Sequence, residues 1–411
     1  MMLSERNSRI FGGTMLIAGT SIGAAVLAMP IMTGLFGFYG TTLIMLGCWL
    51  FMYWMATLIL EASLYFKEDV SFITMANKTL GKTGALLTWM FFLLLFYSLL
   101  AAYLSGSGRI IIDALGGLLR VKFPSYFNIF PLLIVFSPFI YFGLSIVDHI
   151  NRFLMVAMFI TYASITIYLL PDVSLSNLSF SDWSFSLLSF SVVITSFGYH
   201  VIIPTMVTYL DRDIKSIKKC LFYGSLIPLL FYLLWEVSIL GVLPVLGSNG
   251  IAQAFKLDMP LVKLLRIHTG HEIIATLARG FSIFAIVTSF LGVAQGLFDF
   301  LKDGIKAGRS HKKRIFAFVL TFTPPVLFII MFESGFIALL EYAGALVSII
   351  LGIIPILIIM RLRKQKNYNP DFRAKGNTFS LLLGVAFFAF IVLLVILKNL
   401  HVINFNVDAL L

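Results

Sequence analysis

The stretch that interrupts the first apolar segment of the chain, residues 17–30, reads Ile17-Ala18-Gly19-Thr20-Ser21-Ile22-Gly23-Ala24-Ala25-Val26-Leu27-Ala28-Met29-Pro30. Its glycines and hydroxyl residues weaken a helix, and its proline removes a backbone hydrogen-bond donor. The surrounding segment, residues 10–36, is long enough to cross a bilayer, for which about 20 predominantly apolar residues suffice. We therefore expect a membrane-spanning helix that is broken near its middle.

Another apolar segment, residues 186–210, carries the same kind of interruption. It contains Thr195-Ser196-Phe197-Gly198-Tyr199-His200-Val201-Ile202-Ile203-Pro204, so serine and glycine are again followed by a proline. Backbone polar groups at membrane depth need partners, and an unwound patch persists only where it lines a cavity or binds something. The alternative is that these small residues only let neighbouring helices pack closely.

The composition of the chain indicates a protein that lies in a membrane. Of its 411 residues, 60% are hydrophobic and 12% are charged, whereas soluble domains have about 45–50% and about 25%. These proportions exclude a soluble globular protein and a disordered chain. A closed β-barrel is disfavoured as well, because its strands alternate between apolar and polar residues over about 10 positions. The sequence therefore predicts an all-α integral membrane protein in a lipid bilayer.

Eleven segments are apolar and long enough to span the bilayer. The predicted spans are 10–36, 39–66, 84–112, 126–147, 150–170, 186–210, 220–246, 272–301, 314–332, 335–361 and 378–398. Between the fourth and fifth spans we expect little more than a turn, at Asp148-His149-Ile150-Asn151-Arg152.

The basic residues predict the orientation of these spans. Loops on the side of the N-terminus carry 22 Lys and Arg residues, and loops on the other side carry 6. Because basic residues accumulate in cytoplasmic loops, we expect the N-terminus inside and the C-terminus outside. The net charge of +11 is then mostly an orientation signal, and we expect no nucleic-acid partner.

The two broken spans occupy equivalent places in two sets of five spans. Because five is odd, the second set has inverted topology, which is typical of secondary transporters with a site at the midplane. The predicted units are a first repeat at 1–170, a second at 171–361, and a loop with an extra helix at 362–411. Free amides and a helix dipole at each break suit a carboxylate, and free carbonyls suit an ammonium group or a cation. An α-amino acid presents both charges on one carbon.

Several motifs resemble those of the bacterial aromatic amino acid permeases, the tyrosine and tryptophan transporters of the amino acid–polyamine–organocation superfamily. The matching stretches, beside the two interruptions, are Ala101-Ala102-Tyr103-Leu104-Ser105-Gly106-Ser107-Gly108, Asn151-Arg152-Phe153, Thr288-Ser289-Phe290-Leu291-Gly292-Val293, Gly296-Leu297-Phe298-Asp299 and Tyr342-Ala343-Gly344. The resemblance implies a leucine-transporter-like fold with eleven membrane helices. It also implies import of tyrosine or another aromatic amino acid by proton symport across the bacterial inner membrane.

The resemblance also implies which residues bind the substrate. By position, the carboxylate and amine of the substrate are held by Gly19, Thr20, Ser21, Ile22 and Gly23 of the first break and by Ser196, Phe197, Gly198 and Tyr199 of the second. The side-chain pocket draws on Tyr97, Tyr103, Phe290, Gln295 and Tyr342. Matches are divided between the two branches of the family, so a tryptophan-specific permease stays an alternative to a tyrosine transporter.

Ionisable residues inside spans are costly and are therefore candidates for coupling to an ion. These are Glu61, His200, Asp299 and Glu341. Each has a simpler alternative, such as an interfacial carboxylate or a histidine that is hydrogen-bonded within the bundle. We expect Asp299 to face the cytoplasmic vestibule, and an inner gate formed with Arg152 is an alternative. Glu236 and Arg279 either pair with each other or extend to the membrane interface. We assign no function to them.

Sodium is a rival to the proton as driving ion. Ala285, Thr288 and Ser289 share one helical face, and together with the carbonyls of Ile17 and Thr20 they would supply oxygen ligands. The alternative is that both hydroxyls bond to carbonyls of their own helix.

Two other classes of protein are weighed against a transporter. An ion channel would need a repeated polar face, and an intramembrane enzyme would need a catalytic motif such as His-Glu-x-x-His; neither pattern occurs in the sequence. We therefore expect no enzyme activity and no cofactor beyond the driving ion. A monomer is the expected oligomeric state.

Overall fold

The computed structural model describes residues 2–410 apart from 69, 120–126, 128, 143, 248, 307, 309, 332–334, 366–368 and 404. These described residues form helices and loops without a β-strand. The α-helices of the first half are α1 (Met2–Ser21), α2 (Ala25–Thr33), α3 (Phe38–Tyr65), α4 (Phe72–Leu119), α5 (Phe130–Phe142), α6 (Leu144–Leu169), α7 (Leu175–Leu178), α8 (Ser189–Ser196) and α9 (Ile203–Tyr209). Those of the second half are α10 (Ile214–Val242), α11 (Ile251–Lys256), α12 (Leu261–Thr269), α13 (Glu272–Gly304), α14 (His311–Met331), α15 (Phe336–Val347), α16 (Ile354–Leu362) and α17 (Thr378–Asn399).

Ten of the predicted spans correspond to helices or helix combinations that are long and apolar enough to cross a membrane, within the part of the chain described. The fourth predicted span, 126–147, contains α5, which has 13 residues, and its residues 126, 128 and 143 lie outside the described part. The total of eleven helices and the inverted repeat of five spans therefore stay predictions, as do the unit boundaries. Of the basic residues used for the orientation, Arg120, Lys122, Arg309 and Lys366 also lie outside the described residues.

The turn expected at Asp148–Arg152 is wrong, because α6 begins at Leu144 and runs through these residues. The stretch contains no glycine or proline to end a helix. Arg152 instead forms an ion pair with Asp148 at 2.8 Å, four residues earlier on the same helix face, and this spacing supports a helix.

Both predicted breaks are present. The axes of Arg6–Ser21 and Ala25–Thr33 differ by 56°, so the first span bends at residues 22–24. In the other broken span, α8 ends at Ser196 and a 3₁₀ turn at Tyr199–Ile202 leads into α9. A further departure from α-helical geometry is the π-helical turn Ser348–Ile353, which joins α15 to α16.

The packing brings the broken spans together between two long helices. α2 packs against α8, and α10 lies along α1 and α3. On the other side, α13 packs against α4, α6 and α14. At the start of α10, Asp213 caps the helix by accepting a hydrogen bond from the amide of Lys215. Hydrogen bonds from Ser216 and the charge of Arg6 hold the pKa of Asp213 below its usual range.

Candidate substrate site at the two breaks

The first break is joined to α13 by a single hydroxyl group. The amide of Ala24 donates a hydrogen bond to Ser289 Oγ at 3.0 Å, and Ser289 Oγ donates to the carbonyl of Ala285 at 2.8 Å. A Cβ at Gly23 would lie 2.9 Å from the same oxygen, which is closer than side chains pack. Glycine at this position therefore lets the broken backbone approach α13.

The two breaks share one hydrogen-bond donor, the hydroxyl group of Tyr232 on α10. It lies 2.7 Å from the carbonyl oxygen of Ser21 and 3.2 Å from that of Ser196. Each is the last residue of its helix, where carbonyl groups lack intrahelical partners. Tyr232 is fully buried. It therefore supplies a partner for backbone groups that the breaks leave unpaired, as is required at membrane depth.

A neighbouring residue of α10 compensates for the proline in α2. Pro30 has no N–H with which to bond the carbonyl of Val26, four residues earlier. Trp235 Nε1 donates a hydrogen bond to this carbonyl oxygen at 3.1 Å. No role for Tyr232 or Trp235 was predicted from the sequence. The spacing of residues 232, 235 and 236 places them on one helical face, but only the packing shows that this face meets the interrupted span.

Most of the other residues predicted to bind the substrate are buried inside the protein. Ser21, Ile22, Ser196, Phe197, Tyr199 and Phe290 are buried, and Gly19, Gly23 and Gly198 are partly exposed. Thr20 is exposed, and its hydroxyl donates to the carbonyl of Leu16 at 2.7 Å. Tyr103 is buried, and a hydrogen bond links its hydroxyl group to Ser289. Among the predicted pocket residues, Tyr103 is thus tied directly to the first break.

Each of the three polar candidates for contact with the substrate side chain has a hydrogen-bond partner away from the breaks. Tyr97 donates to the carbonyl of Leu320 on α14 at 2.9 Å. Tyr342 donates to Asn399 Oδ1 on α17 at 2.7 Å. Gln295 Nε2 donates to Asp299 Oδ2 at 2.8 Å, and its buried Oε1 has no hydrogen-bond partner among the described residues. Gln295 is therefore the candidate that retains a buried acceptor.

Two of the coupling candidates have firm structural partners. Glu61, fully buried, forms a bidentate ion pair with Arg363, at 2.8 Å from Nε and 2.6 Å from Nη2. It also accepts a hydrogen bond from the amide of Ala374 at 2.7 Å. His200 lies fully buried below the second break, and its Nε2 donates to the carbonyl of Met52 on α3 at 2.8 Å.

The other two candidates are paired as well. Asp299 contacts Lys302 at 2.7 Å in addition to Gln295. It does not form the alternative gate with Arg152, because Arg152 pairs with Asp148 on α6. Glu341 is buried and forms an ion pair with Lys398 of α17.

Of the two alternatives for Glu236 and Arg279, pairing with each other is wrong. Arg279 lies 3.5 Å from Glu272, because both are at the start of α13, whereas Glu236 contacts Thr33 of α2. Glu236 is fully buried and its Oε1 has no hydrogen-bond partner in the described part of the chain.

The hydroxyl groups of the candidate sodium site bond to their own helix. Thr288 Oγ1 lies 2.9 Å from the carbonyl of Phe284 and 3.1 Å from that of Ala285. The carbonyl of Ile17 accepts a hydrogen bond from Ser21 Oγ at 3.1 Å. A sodium ion held by Ile17, Thr20, Ala285, Thr288 and Ser289 would therefore replace existing hydrogen bonds. The site stays a prediction.

Two cavities lie on opposite sides of the breaks. A cavity of about 530 Å³ follows α9 on the predicted cytoplasmic side and is lined by Ser71, Phe92, Phe96, Thr205, Thr208 and Phe300, among others. On the predicted outer side, a cavity of about 40 Å³ lies between α2, α12 and the start of α15.

Two broken membrane helices with joined breaks, set among long apolar helices, define a secondary transporter class of membrane protein. A model of the tryptophan/tyrosine permease family matches residues 6–396. The chain therefore belongs to the tryptophan/tyrosine permease family, and it is a transport protein and not an enzyme.

Curated relatives with similar identities carry different substrate names. The chain is 32% identical over 382 residues to the tyrosine-specific transport system 1 of Haemophilus influenzae, covering 92% of this chain and 94% of the relative. It is 32% identical over 403 residues to a tryptophan-specific transport protein of Pseudomonas aeruginosa, covering 97% and 96%. It is also 30% identical over 364 residues to glutamine transporter 2 of Aliivibrio fischeri, covering 88% and 91%.

Proposed function

We propose that the chain imports an aromatic amino acid by symport with protons, with tyrosine as the first candidate substrate and tryptophan as the second. The observation that carries this proposal is the junction of the two breaks at Tyr232. The hydroxyl group of Tyr232 contacts the C-terminal ends of both α1 and α8. In this proposal, the N-terminal end of α2 faces the carboxylate of the substrate. Helix N-termini bind anions, and helix C-termini bind cations.

Membership of the tryptophan/tyrosine permease family supports an aromatic side chain. The buried oxygen Oε1 of Gln295 supports tyrosine in particular, because a phenol hydroxyl group would give it a donor. The names of the relatives support tyrosine and tryptophan to the same degree, and the glutamine transporter adds a third amino acid to be tested.

Alternating access is part of this proposal. One cavity borders α2 on the predicted outer side and another borders α9 on the predicted inner side, so each broken span lies beside a candidate path to one face of the membrane. In this proposal the protein acts as a monomer in the bacterial cytoplasmic membrane, with its N-terminus inside and its C-terminus outside.

Uptake of labelled tyrosine into proteoliposomes tests the substrate. We expect unlabelled tyrosine and tryptophan to compete among the twenty amino acids, and glutamine to compete weakly or not at all. Glutamine as the best competitor would contradict the proposal. The driving ion is tested with the same vesicles under an imposed sodium gradient at clamped pH. Strong accumulation under these conditions would favour sodium over protons.

A further inference from the structure

Glu236 occupies an unusual place for a carboxyl group. It is fully buried on α10, in the outer half of the predicted membrane region, and no described cation forms an ion pair with it. Its Oε1 lacks a hydrogen-bond partner among the described residues. The other buried glutamates of the spans, Glu61 and Glu341, each face a basic side chain. Glu236 therefore needs a different explanation.

The contact with Thr33 indicates that the carboxyl group of Glu236 is protonated. Thr33 Oγ1 lies 2.8 Å from the carbonyl oxygen of Met29 and 3.1 Å from Glu236 Oε2. A hydroxyl group carries one proton and donates to one acceptor at a time. When Thr33 donates to Met29, the shorter of the two contacts, a proton on Glu236 completes the chain by donating to Thr33 Oγ1. A bare carboxylate would leave a buried charge without a cation, which is costly at membrane depth.

The neighbouring elements bring few titratable groups to this place. α3 has Tyr39 at its outer end and the segment after α6 has Asp172, and both are exposed. Tyr162 of α6 donates to the carbonyl of Phe231 at 2.9 Å. The basic residues of α1, Arg6 and Arg9, bond to groups at the opposite end of α10. On α10 itself, Tyr232 lies one turn away and is committed to the breaks.

From these contacts we propose that Glu236 binds the coupling proton, and that the bound proton holds α2 against α10. This assignment rests on the proposed proton symport and names the residue that carries it. Glu236 lies six residues before the end of α10 at Val242, so the outer end of the helix is about 9 Å away. A proton enters from water on that side and is released on the cytoplasmic side, as the proposed symport requires.

The position of the contact explains how proton binding acts on substrate binding. α2 is the half of the broken span whose N-terminal end faces the substrate, and α10 contacts it at Val26 through Trp235 and at Thr33 through Glu236. With the proton bound, both contacts are satisfied. After the proton is lost, the charged carboxylate of Glu236 favours contact with water. α2 and α10 then separate, and the contacts that hold α2 at the substrate site are broken.

Proteoliposomes that contain a pH-sensitive dye test the assignment with Glu236→Gln. The amide has the size of the carboxyl group and can donate to Thr33, but it carries no titratable proton. The first measurement is acidification of the vesicle interior when tyrosine is added, divided by the tyrosine taken up. The second is counterflow, in which labelled tyrosine exchanges against internal tyrosine at equal pH.

For the wild-type protein we expect acidification and counterflow, and for Glu236→Gln counterflow without acidification. Glu272→Gln, the same change at an exposed glutamate that pairs with Arg266, should keep the wild-type acidification per tyrosine. Acidification per tyrosine unchanged in Glu236→Gln would overturn the assignment, and so would loss of counterflow, which would make the residue a structural one. Glu236→Asp retains a carboxyl group and should retain acidification.

The wild-type protein tests the proposed function separately. If it takes up tyrosine without acidification, proton symport itself is wrong, and the assignment of Glu236 is wrong as well.

Discussion

The hydroxyl group of Tyr232 donates a hydrogen bond to the carbonyl oxygen of Ser21 at 2.7 Å. This contact places a side chain of α10 at the end of α1, at the point where the first span is broken. Because the same hydroxyl group also reaches the end of α8, the geometry of the site depends on one buried oxygen atom.

Tyr232→Phe should therefore disturb stability and transport together. The change removes only the hydroxyl group and leaves the carbonyl oxygen to which it donates without that donor, which costs about 1–3 kcal/mol for a buried group. We expect a lower melting temperature of the purified protein and slower uptake of tyrosine. Tyr162→Phe is the matched control, because that hydroxyl group bonds to a carbonyl outside the breaks. Uptake lowered equally by both changes would argue against a special role of Tyr232.

Ser289→Ala tests the link between the first break and α13. The change removes the acceptor of the Ala24 amide. We expect the apparent affinity for the substrate to fall by roughly two- to tenfold, the equivalent of one hydrogen bond. The measurement is the concentration dependence of uptake.

The control for this change is Thr288→Val, which removes a hydroxyl group that bonds only to carbonyls of its own helix. It should leave the affinity near that of the wild-type protein. Equal losses in both variants, together with stimulation of the wild-type protein by sodium, would instead support the sodium site.

Glu61→Gln should destabilise the protein without changing proton movement. The change removes the carboxylate that pairs with the guanidinium group of Arg363, and breaking a buried ion pair in this way costs about 3–5 kcal/mol. We expect a marked fall in melting temperature, but wild-type acidification per tyrosine. Glu272→Gln is the control, because its ion pair with Arg266 is exposed and contributes at most about 1 kcal/mol. Loss of acidification in Glu61→Gln would restore the proton route that the sequence suggested for this residue.

The breaks could be predicted from the sequence because their causes are local. Glycine, serine and proline act on the helix in which they lie, so the pattern around Gly23 and Gly198 was sufficient. The positions of most spans followed for the same reason, since length and hydrophobicity are properties of each segment. The turn expected at residues 148–152 was wrong because this stretch was interpreted as a connection between spans, although Asp148 and Arg152 pair within one helix.

The partners of the charged residues could not be predicted in the same way. Glu61 and Arg363 are 302 residues apart in the chain, and their contact depends on how α3 and α16 pack. Glu236 was recognised as costly, but its environment is set by Thr33 on another helix. A sequence shows that a buried charge needs a partner, whereas only the packing shows which residue it is and whether it is a cation.

Gln295→Leu tests the choice between tyrosine and tryptophan. Gln295 is buried, and its Oε1 has no hydrogen-bond partner in the described structure, so a phenol hydroxyl group can donate to it. A site that hydrogen-bonds a substrate hydroxyl group discriminates strongly for it. We therefore expect the variant to lose tyrosine uptake more than tryptophan uptake, measured as the ratio of the two initial rates.

Asp299→Asn is the control, because it keeps a partner for Gln295 Nε2 and should leave this ratio near that of the wild-type protein. An equal loss of both substrates in Gln295→Leu would show that Gln295 supports the fold of α13 and does not contact the phenol group.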